Sequence, residues 1–396
     1  MMNTANTIQY VDTAKKLEQL CQRLESCSWL ALDTEFLREK TYYPKFCLLQ
    51  IAVPGTVACI DPLALESLGP LFDLLYNPGI TKVFHAGRQD MEIFYNLRGT
   101  LPAPVFDTQI AAPLLGLPEQ PGYGALVSEL LKTNLSKAHT RTDWCHRPLS
   151  EAQLRYAADD VIYLGRIYQA MKKQLDALER TQWLEEDFNN LANPEMYKNA
   201  PEEAWRKVRG ANKLSGVQLA ILQALAQWRE QTAQTQDRPR NWLLKDESLF
   251  DLARLKPETP DELEKIRGLN DRTLKRFGAQ ICKLIGKAKH ERPISPGEKD
   301  RPPRKSPEQE AVLDLLNAVV RLRAVRNAIN PAVLASRKDL EMLLLKKPES
   351  KLFHGWRYSM VGKELESILQ GKRILALHDG ELSVRDSHPA PSTQRH

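Results

Sequence analysis

The sequence lacks the features that mark membrane, secreted or zinc-binding proteins. Its longest apolar runs fall far short of the roughly 18 residues that a membrane-spanning helix needs, so no transmembrane segment is expected. The N-terminal residues show neither the cationic start nor the apolar core of a signal peptide. The six cysteines include no C-x-x-C pair, which argues against both a zinc knuckle and a disulfide framework. We therefore expect a cytoplasmic protein that does not bind membranes.

Charge is unevenly distributed along the chain. The 396 residues exceed what one hydrophobic core usually holds, so two or three domains are expected. Residues 1–200 contain 19 Lys and Arg against 24 Asp and Glu, a net charge of −5, whereas residues 201–396 contain 37 against 26, a net charge of +11. This asymmetry suggests that the second half binds a polyanion, although a soluble basic domain without such a partner explains it equally well.

Two carboxylates follow a short apolar run in the first half. Trp29 to Leu32 is predicted to be a buried strand, and Asp33 and Glu35 come directly after it. Side chains two positions apart in an extended chain point the same way, so both carboxylates can converge on one cation. A D-x-E pair by itself is usually a solvated strand end. The interpretation therefore depends on further acids downstream.

Two later segments supply those acids. Asp90 is predicted in the first turns of a helix that follows a strand ending at Phe84. Ser150 is a good N-cap for a helix on which Tyr156 and Asp160, four positions apart, share one face. Each feature also has a purely structural explanation, because a helix dipole favours Asp90 and a tyrosine–aspartate pair is common on helix surfaces.

Two further polar residues are expected to have structural roles. His85 is predicted to pack or to form a hydrogen bond at the turn after the strand, and Asp107 to cap the next helix. Imidazole ligands favour zinc, whereas a site made only of carboxylates favours magnesium or manganese. The acids identified above therefore predict Mg²⁺ or Mn²⁺ as the cofactor.

Taken together, the four carboxylates and the tyrosine resemble the DEDD superfamily of 3′→5′ exonucleases, in the subgroup with tyrosine in its last motif. The wider sequence context is similar to the bacterial ribonuclease D family over residues from about 8 to 175. The matching segments are Leu32-Asp-Thr-Glu-Phe36, Leu48-Leu-Gln-Ile-Ala52, Phe84-His-Ala-Gly87, Phe106-Asp-Thr-Gln-Ile110 and Tyr156-Ala-Ala-x-Asp160. The resemblance implies an α/β ribonuclease H-like exonuclease domain, a mixed sheet flanked by helices.

The resemblance also implies a mechanism and a substrate. Asp33 would bridge two metal ions, Glu35 and Asp160 would complete one ion's site, and Asp90 would bind the other. Tyr156 would orient the attacking water, and the spacing from Tyr156 favours Asp160 over the adjacent Asp159. The expected reaction releases 5′-mononucleotides from the 3′ end of RNA, with tRNA and other structured precursors as substrates. A DNA 3′→5′ exonuclease and a nucleic-acid-binding protein with a vestigial metal site are the alternatives.

The basic half contains a repeat. Leu243 and Leu334, Leu249 and Leu340, and Pro257 and Pro348 are each 91 residues apart, which indicates duplication of one small all-helical unit. Its pattern of helices around a proline-containing loop resembles the HRDC domain. The predicted boundaries are 1–200 for the exonuclease domain, 210–292 and 305–378 for two helical-bundle domains, and 379–396 for a disordered tail.

Several residues are candidates for RNA contacts in a protein that we expect to be a monomer. The candidates are Phe36, His85, Lys137, Arg240, Lys275, Arg276, Arg321 and Arg323. A solvated basic helix face is the alternative explanation for the cationic ones. Trp228, Trp242 and Trp356 are expected in helical cores rather than as platforms for base stacking.

Overall fold

A six-stranded mixed sheet forms the centre of the N-terminal half. The computed structural model describes residues 7–135, 142–294 and 305–387. The strands are β1 (Ile8–Val11), β2 (Trp29–Leu37), β3 (Lys45–Val53), β4 (Thr56–Ile60), β5 (Thr81–Phe84) and β6 (Val105–Asp107). They lie in the order β1-β4-β3-β2-β5-β6. The strands β2, β3 and β4 form an antiparallel meander, while β5 runs parallel to both β2 and β6.

Helices cover both faces of this sheet. They are α1 (Ala14–Leu24), α2 (Gly69–Leu75), α3 (Arg88–Arg98), α4 (Thr108–Ala111), α5 (Tyr123–Leu131), α6 (Glu151–Ala177) and α7 (Glu185–Leu191). Buried side chains of α1, α2 and α3 pack on one face of the sheet, and those of α5 and α6 pack on the other. A single-layer sheet with apolar residues on both faces requires such double coverage. The mixed sheet flanked by helices confirms the predicted architecture.

Two helical units with related layouts follow the sheet. The first contains α8 (Gly216–Thr235), α9 (Arg240–Leu243), α10 (Asp246–Leu255), α11 (Pro260–Leu263) and α12 (Asp271–Ala288). The second contains α13 (Pro307–Arg326), α14 (Pro331–Leu334), α15 (Arg337–Leu344), α16 (Gly355–Arg357) and α17 (Lys363–Leu369). The paired landmark leucines occupy equivalent helices, since Leu243 and Leu334 end α9 and α14, and all of them are buried.

Two predicted boundaries of the helical units are wrong. Trp205 and Val208 are buried in the core of the first helical unit, so this unit begins before residue 210. Residues 379–387 are also not a disordered tail, because β7 (Arg373–His378) and β8 (Glu381–Asp386) form an antiparallel hairpin. The predicted residues 388–396 of that tail lie outside the described residues.

Both helical units touch the nuclease half through polar and aromatic contacts. In the first unit, Glu230 accepts a 2.5 Å hydrogen bond from the Tyr42 hydroxyl, and Asp237 accepts from the backbone N–H groups of Tyr42 and Tyr43. In the second unit, the Trp356 ring stacks on Trp183 with centroids 4.6 Å apart. These contacts fix the orientation of each unit relative to the sheet.

Two of the six cysteines are brought together by the fold. Cys47 on β3 and Cys145, in the turn before α6, form a disulfide with their Cα atoms 5.3 Å apart. Sequence spacing could not indicate this pair, because 98 residues separate its members. Within the described ranges, no helix is long and apolar enough to cross a membrane.

Candidate active site

The first two candidate carboxylates lie within a strand rather than after it. β2 continues through Asp33 and Glu35 to Leu37, with a bulge between Glu35 and Phe36. Its pairing with β5 stops at Ala31, so on that side the strand is open where the carboxylates lie. On its other side β2 stays paired with β3, which keeps the strand extended and both side chains on one face of the sheet.

The third carboxylate, Asp90, lies beside the part of β2 that is not paired with β5. The chain leaves β5, turns at Ala86 and Gly87 and begins α3, which carries Asp90 in its first turn. A side chain at Gly87 would collide with Phe84, since a Cβ there would lie 2.5 Å from the Phe84 Cβ. Asp107 fixes the turn by accepting hydrogen bonds from the backbone N–H groups of Ala86 and Gly87 at 3.1 and 2.8 Å. The turn therefore positions Asp90.

Asp107 also performs the role that the sequence predicts. Its carboxylate accepts from the backbone N–H groups of Gln109 and Ile110 and so caps α4. One buried side chain thus satisfies four backbone donors from two segments of the chain. Asp90 is itself held by a 2.5 Å hydrogen bond from the Thr34 hydroxyl to its Oδ1.

The remaining candidates lie on α6. The predicted N-cap, Ser150, forms a full capping box with Gln153, so the helix begins where the sequence indicates. Tyr156 and Asp160 are both half-buried on the next turns. The neighbouring Asp159 turns away and pairs with Arg155 at 3.2 Å. Asp160 is therefore the acid that faces the sheet.

Three of the four carboxylates converge. Asp33, Glu35 and Asp160 each place a carboxylate oxygen so that these atoms lie within 4.8 Å of one another. Asp90 lies outside this cluster, but burial and then the charge of Asp90 raise the pKa of Asp33. Three acids at this separation repel one another unless a proton or a cation intervenes. The arrangement is therefore suited to a bound metal ion.

The pKa values of the acids reflect burial and repulsion. Burial, followed by the charges of the neighbouring carboxylates, raises the pKa of Asp33 well above its usual range and that of Glu35 to about 8. Burial and the charge of Asp159 raise the pKa of Asp160 to about 7. Burial raises the pKa of Asp90 to about 6, against the hydrogen bond from Thr34. An all-oxygen donor set of this kind fits Mg²⁺ or Mn²⁺.

Tyr156 lies close enough to the three carboxylates for their charges to raise the pKa of its phenol, in addition to the larger effect of burial. Burial and then the charge of Asp160 raise the pKa of Tyr156 to about 12, so its phenol stays protonated at neutral pH. The Trp144 ring lies 6.2 Å from the Tyr156 ring. A neutral phenol can donate a hydrogen bond but is a weak base.

Two residues that support the site carry no signal in the sequence pattern. The Tyr123 hydroxyl donates a hydrogen bond to the backbone carbonyl of Asp160, and burial raises the pKa of Tyr123. Tyr123 follows a stretch rich in proline and glycine, which predicts only a connection. Thr34 lies between the two acids of the motif, and the motif gives it no role of its own.

The candidate RNA contacts differ in their surroundings. His85 lies at the site, with its Nδ1 2.9 Å from the Thr108 hydroxyl and its ring against Tyr123, so the expected hydrogen-bonding role is confirmed. Phe36 is half-buried against the sheet core. Lys137 lies outside the described residues.

The cationic candidates lie on the helical units. Lys275, Arg276 and Arg321 are exposed, and Arg240 is half-buried with its Nη1 3.7 Å from Glu230. Arg323 is instead engaged in an ion pair with the buried Glu364 at 2.5 Å. Its charge is neutralised within the fold, which argues against the RNA contact expected for it.

Comparison with known proteins places the whole chain in one family. The 3′-5′ exonuclease family matches residues 8–176, and the HRDC domain family matches residues 218–285. The ribonuclease D of Sphingobium indicum is 38% identical over 94% of this chain and 97% of its own length. That of Pseudomonas paraeruginosa is 37% identical over 93% of this chain and 100% of its own length.

A solved structure agrees with the sequence relatives. The crystal structure of Escherichia coli RNase D, an exoribonuclease involved in structured RNA processing, aligns with a TM-score of 0.77 at 33% identity. The alignment covers 92% of this chain and 98% of that one. The sequence relatives and this structure agree along nearly the whole chain, so the protein belongs to the ribonuclease D family of metal-dependent 3′→5′ exoribonucleases.

Proposed function

We propose that the chain removes 5′-mononucleotides from the 3′ ends of structured RNAs such as tRNA precursors, using two divalent cations. The convergence of Asp33, Glu35 and Asp160 carries this proposal, because three partly buried acids so close together need a cation to remain ionised. Participation of the Escherichia coli relative in structured RNA processing supports the choice of substrate. We propose that the protein acts as a cytoplasmic monomer.

In this proposal four carboxylates bind the cations, and a tyrosine orients the attacking water. In the proposed site Asp33, Glu35 and Asp160 would hold the cations together with Asp90. Mg²⁺ or Mn²⁺ bound there would lower the pKa of the attacking water and stabilise negative charge on the leaving 3′ oxygen. Tyr156 orients that water through its neutral phenol. Tyr123 positions Asp160 through the backbone carbonyl.

The helical units are proposed to hold the rest of the RNA. We assign the catalytic domain to residues up to about 200 and the two HRDC-like units to the segments on either side of residues 295–304. Exposed cations on both units, among them Lys275 and Arg321, support binding of the phosphate backbone. The second unit is assigned as HRDC-like by its 91-residue relation to the first.

A matched pair of substrates tests the proposal. A tRNA precursor with a 3′ trailer and a DNA strand of the same trailer sequence would be incubated with chelated enzyme, then with Mg²⁺ or Mn²⁺ restored. The expected result is stepwise release of 5′-mononucleotides from the RNA only after metal is restored, at a higher rate than from DNA. Faster cleavage of DNA, or cleavage that persists in chelator, would contradict the proposal.

A further inference from the structure

One tryptophan lies where a core residue was expected and is exposed instead. Trp228 is buried in the first helical unit and Trp356 packs on the nuclease half, but 61% of the Trp242 surface is accessible. The four-residue helix α9 ends at Leu243, which points into the core and leaves Trp242 on the outside. Trp242 thus leaves most of its large apolar surface in water, whereas burial of that surface is the usual explanation for a tryptophan.

The surroundings of Trp242 are cationic. It lines a cleft of about 370 Å³ together with Arg238, Arg272, Arg276 and Phe277. Arg238, Arg272 and Arg276 are all exposed, and within the described ranges no carboxylate lines this cleft. Arg276 lies over the Phe277 ring at 4.9 Å and donates to the Gln236 side chain. Among the described residues, neither Arg238 nor Arg272 forms an ion pair.

A second cleft lies between this surface and the nuclease half. Asn241 lines the Trp242 cleft and also lines a neighbouring cleft between the first helical unit and the nuclease half. Arg240, Lys207 and Arg38 line that second cleft together with Glu39 and Glu92, and Arg38 pairs with Glu92 at 2.7 Å. Arg38 follows β2, which carries Glu35, and Glu92 lies on α3 two residues after Asp90. The second cleft therefore brings the Trp242 surface next to β2 and α3, the elements that carry Asp33, Glu35 and Asp90.

We propose that the Trp242 cleft binds an unpaired segment of the RNA substrate, with a base stacked on the indole and phosphates held by Arg238, Arg272 and Arg276. An aromatic platform needs a free base face, which a duplex interior does not offer. Guanidinium groups without carboxylate partners are suited to a phosphate backbone. This inference rests on the proposed function, because it takes RNA to be the ligand and the active site to be the destination of its 3′ end.

Binding in the presence of chelator tests the cleft without hydrolysis. The anisotropy of a labelled single-stranded RNA would be measured with the full chain, Trp242→Ala, Trp242→Phe and the control Leu377→Ala, whose side chain is 71% exposed on β7. We expect Trp242→Ala to weaken binding by roughly 5- to 100-fold. Trp242→Phe and Leu377→Ala should stay within about threefold of wild type. A blunt RNA duplex should bind Trp242→Ala and wild type equally.

The arginines provide an independent readout. The slope of log affinity against log salt should fall by about 0.7 for each of Arg272→Gln and Arg276→Gln if each contacts one phosphate of a single strand. Unchanged binding of single-stranded RNA to Trp242→Ala would overturn the inference, and so would an equal loss on duplex RNA. Hydrolysis of short RNA with metal is measured separately. Binding that depends on Trp242 without hydrolysis would reject the proposed function and retain the cleft.

Discussion

At the residue scale, the acids of the site destabilise the folded protein when no cation neutralises them. Glu35 has a pKa of about 8 and Asp160 a pKa of about 7, because burial and nearby negative charge disfavour their ionised forms. A carboxyl group with a raised pKa binds more protons in the folded than in the unfolded state between its two pKa values. Its contribution to stability is therefore lost as pH rises through that interval.

This sign gives a prediction for Glu35. In chelator, wild-type protein should lose stability as pH rises from about 4.5 to about 8, and Glu35→Gln should be more stable than wild type at pH 8 by on the order of 1–2 kcal/mol. Urea midpoints at both pH values measure the effect, with Glu66→Gln as an exposed control. Adding Mg²⁺ should stabilise wild type more than Glu35→Gln at pH 8. Equal midpoints for the two proteins at both pH values would contradict this account.

At the element scale, the sequence predicted where the helices near the site begin better than it predicted where strand β2 ends. The helix caps at Ser150 and Asp107 were both predictable from the sequence, because capping depends on a few adjacent residues. The sequence did not predict that β2 continues to Leu37, because polar residues interrupt the apolar run. Pairing with β3 keeps the strand extended there. The sequence also did not predict the hairpin of β7 and β8, because long-range packing against the second helical unit stabilises it.

The turn between β5 and α3 allows a test at this scale. Asp107→Asn replaces one carboxylate oxygen with an NH₂ group, so at least one of the four backbone donors loses its acceptor. We expect a loss of about 1–3 kcal/mol in unfolding free energy. We also expect a fall of roughly 10-fold in kcat, with little change in KM, because the turn carries Asp90.

Chemical denaturation and steady-state kinetics on a short RNA measure both effects. Asp73→Asn, the same chemical change at an exposed position on α2, is the control. If Asp107→Asn lost stability but kept the wild-type kcat, the turn would not position Asp90.

At the scale of the whole molecule, the sequence revealed two repeats but not where they pack. A 91-residue offset identifies equivalent helices within the units. The contacts that orient the second unit come from residues outside this pattern. Trp356 stacks on Trp183, and Arg180 donates to the backbone carbonyls of Leu114 and Asn327 at 2.7 and 2.6 Å. Such contacts form between the surfaces of two folded units, and local sequence patterns do not reveal them.

The tryptophan stack predicts that the second unit stabilises the nuclease half. Deleting residues from Ser306 onward would expose Trp183 as well as remove cations, so a point variant is more informative. Trp356→Ala should lower the unfolding free energy by about 2–4 kcal/mol and weaken hydrolysis of long structured RNA more than that of short oligonucleotides. Trp356→Phe should retain most of the stability. Thermal unfolding of Trp356→Ala that is identical to wild type would show that the stack does not hold the units together.

The central claim is that carboxylates from β2, α3 and α6 perform the hydrolysis, with Asp160 rather than Asp159 contributed by α6. Its most direct test is a time course on an end-labelled RNA with a 3′ overhang, with Mg²⁺, for wild type, Asp160→Asn and Asp159→Asn. We predict stepwise release of 5′-mononucleotides by wild type, a rate within about threefold of it for Asp159→Asn, and a loss of at least about 1,000-fold for Asp160→Asn. Wild-type rates for Asp160→Asn, or loss of activity only in Asp159→Asn, would contradict the claim.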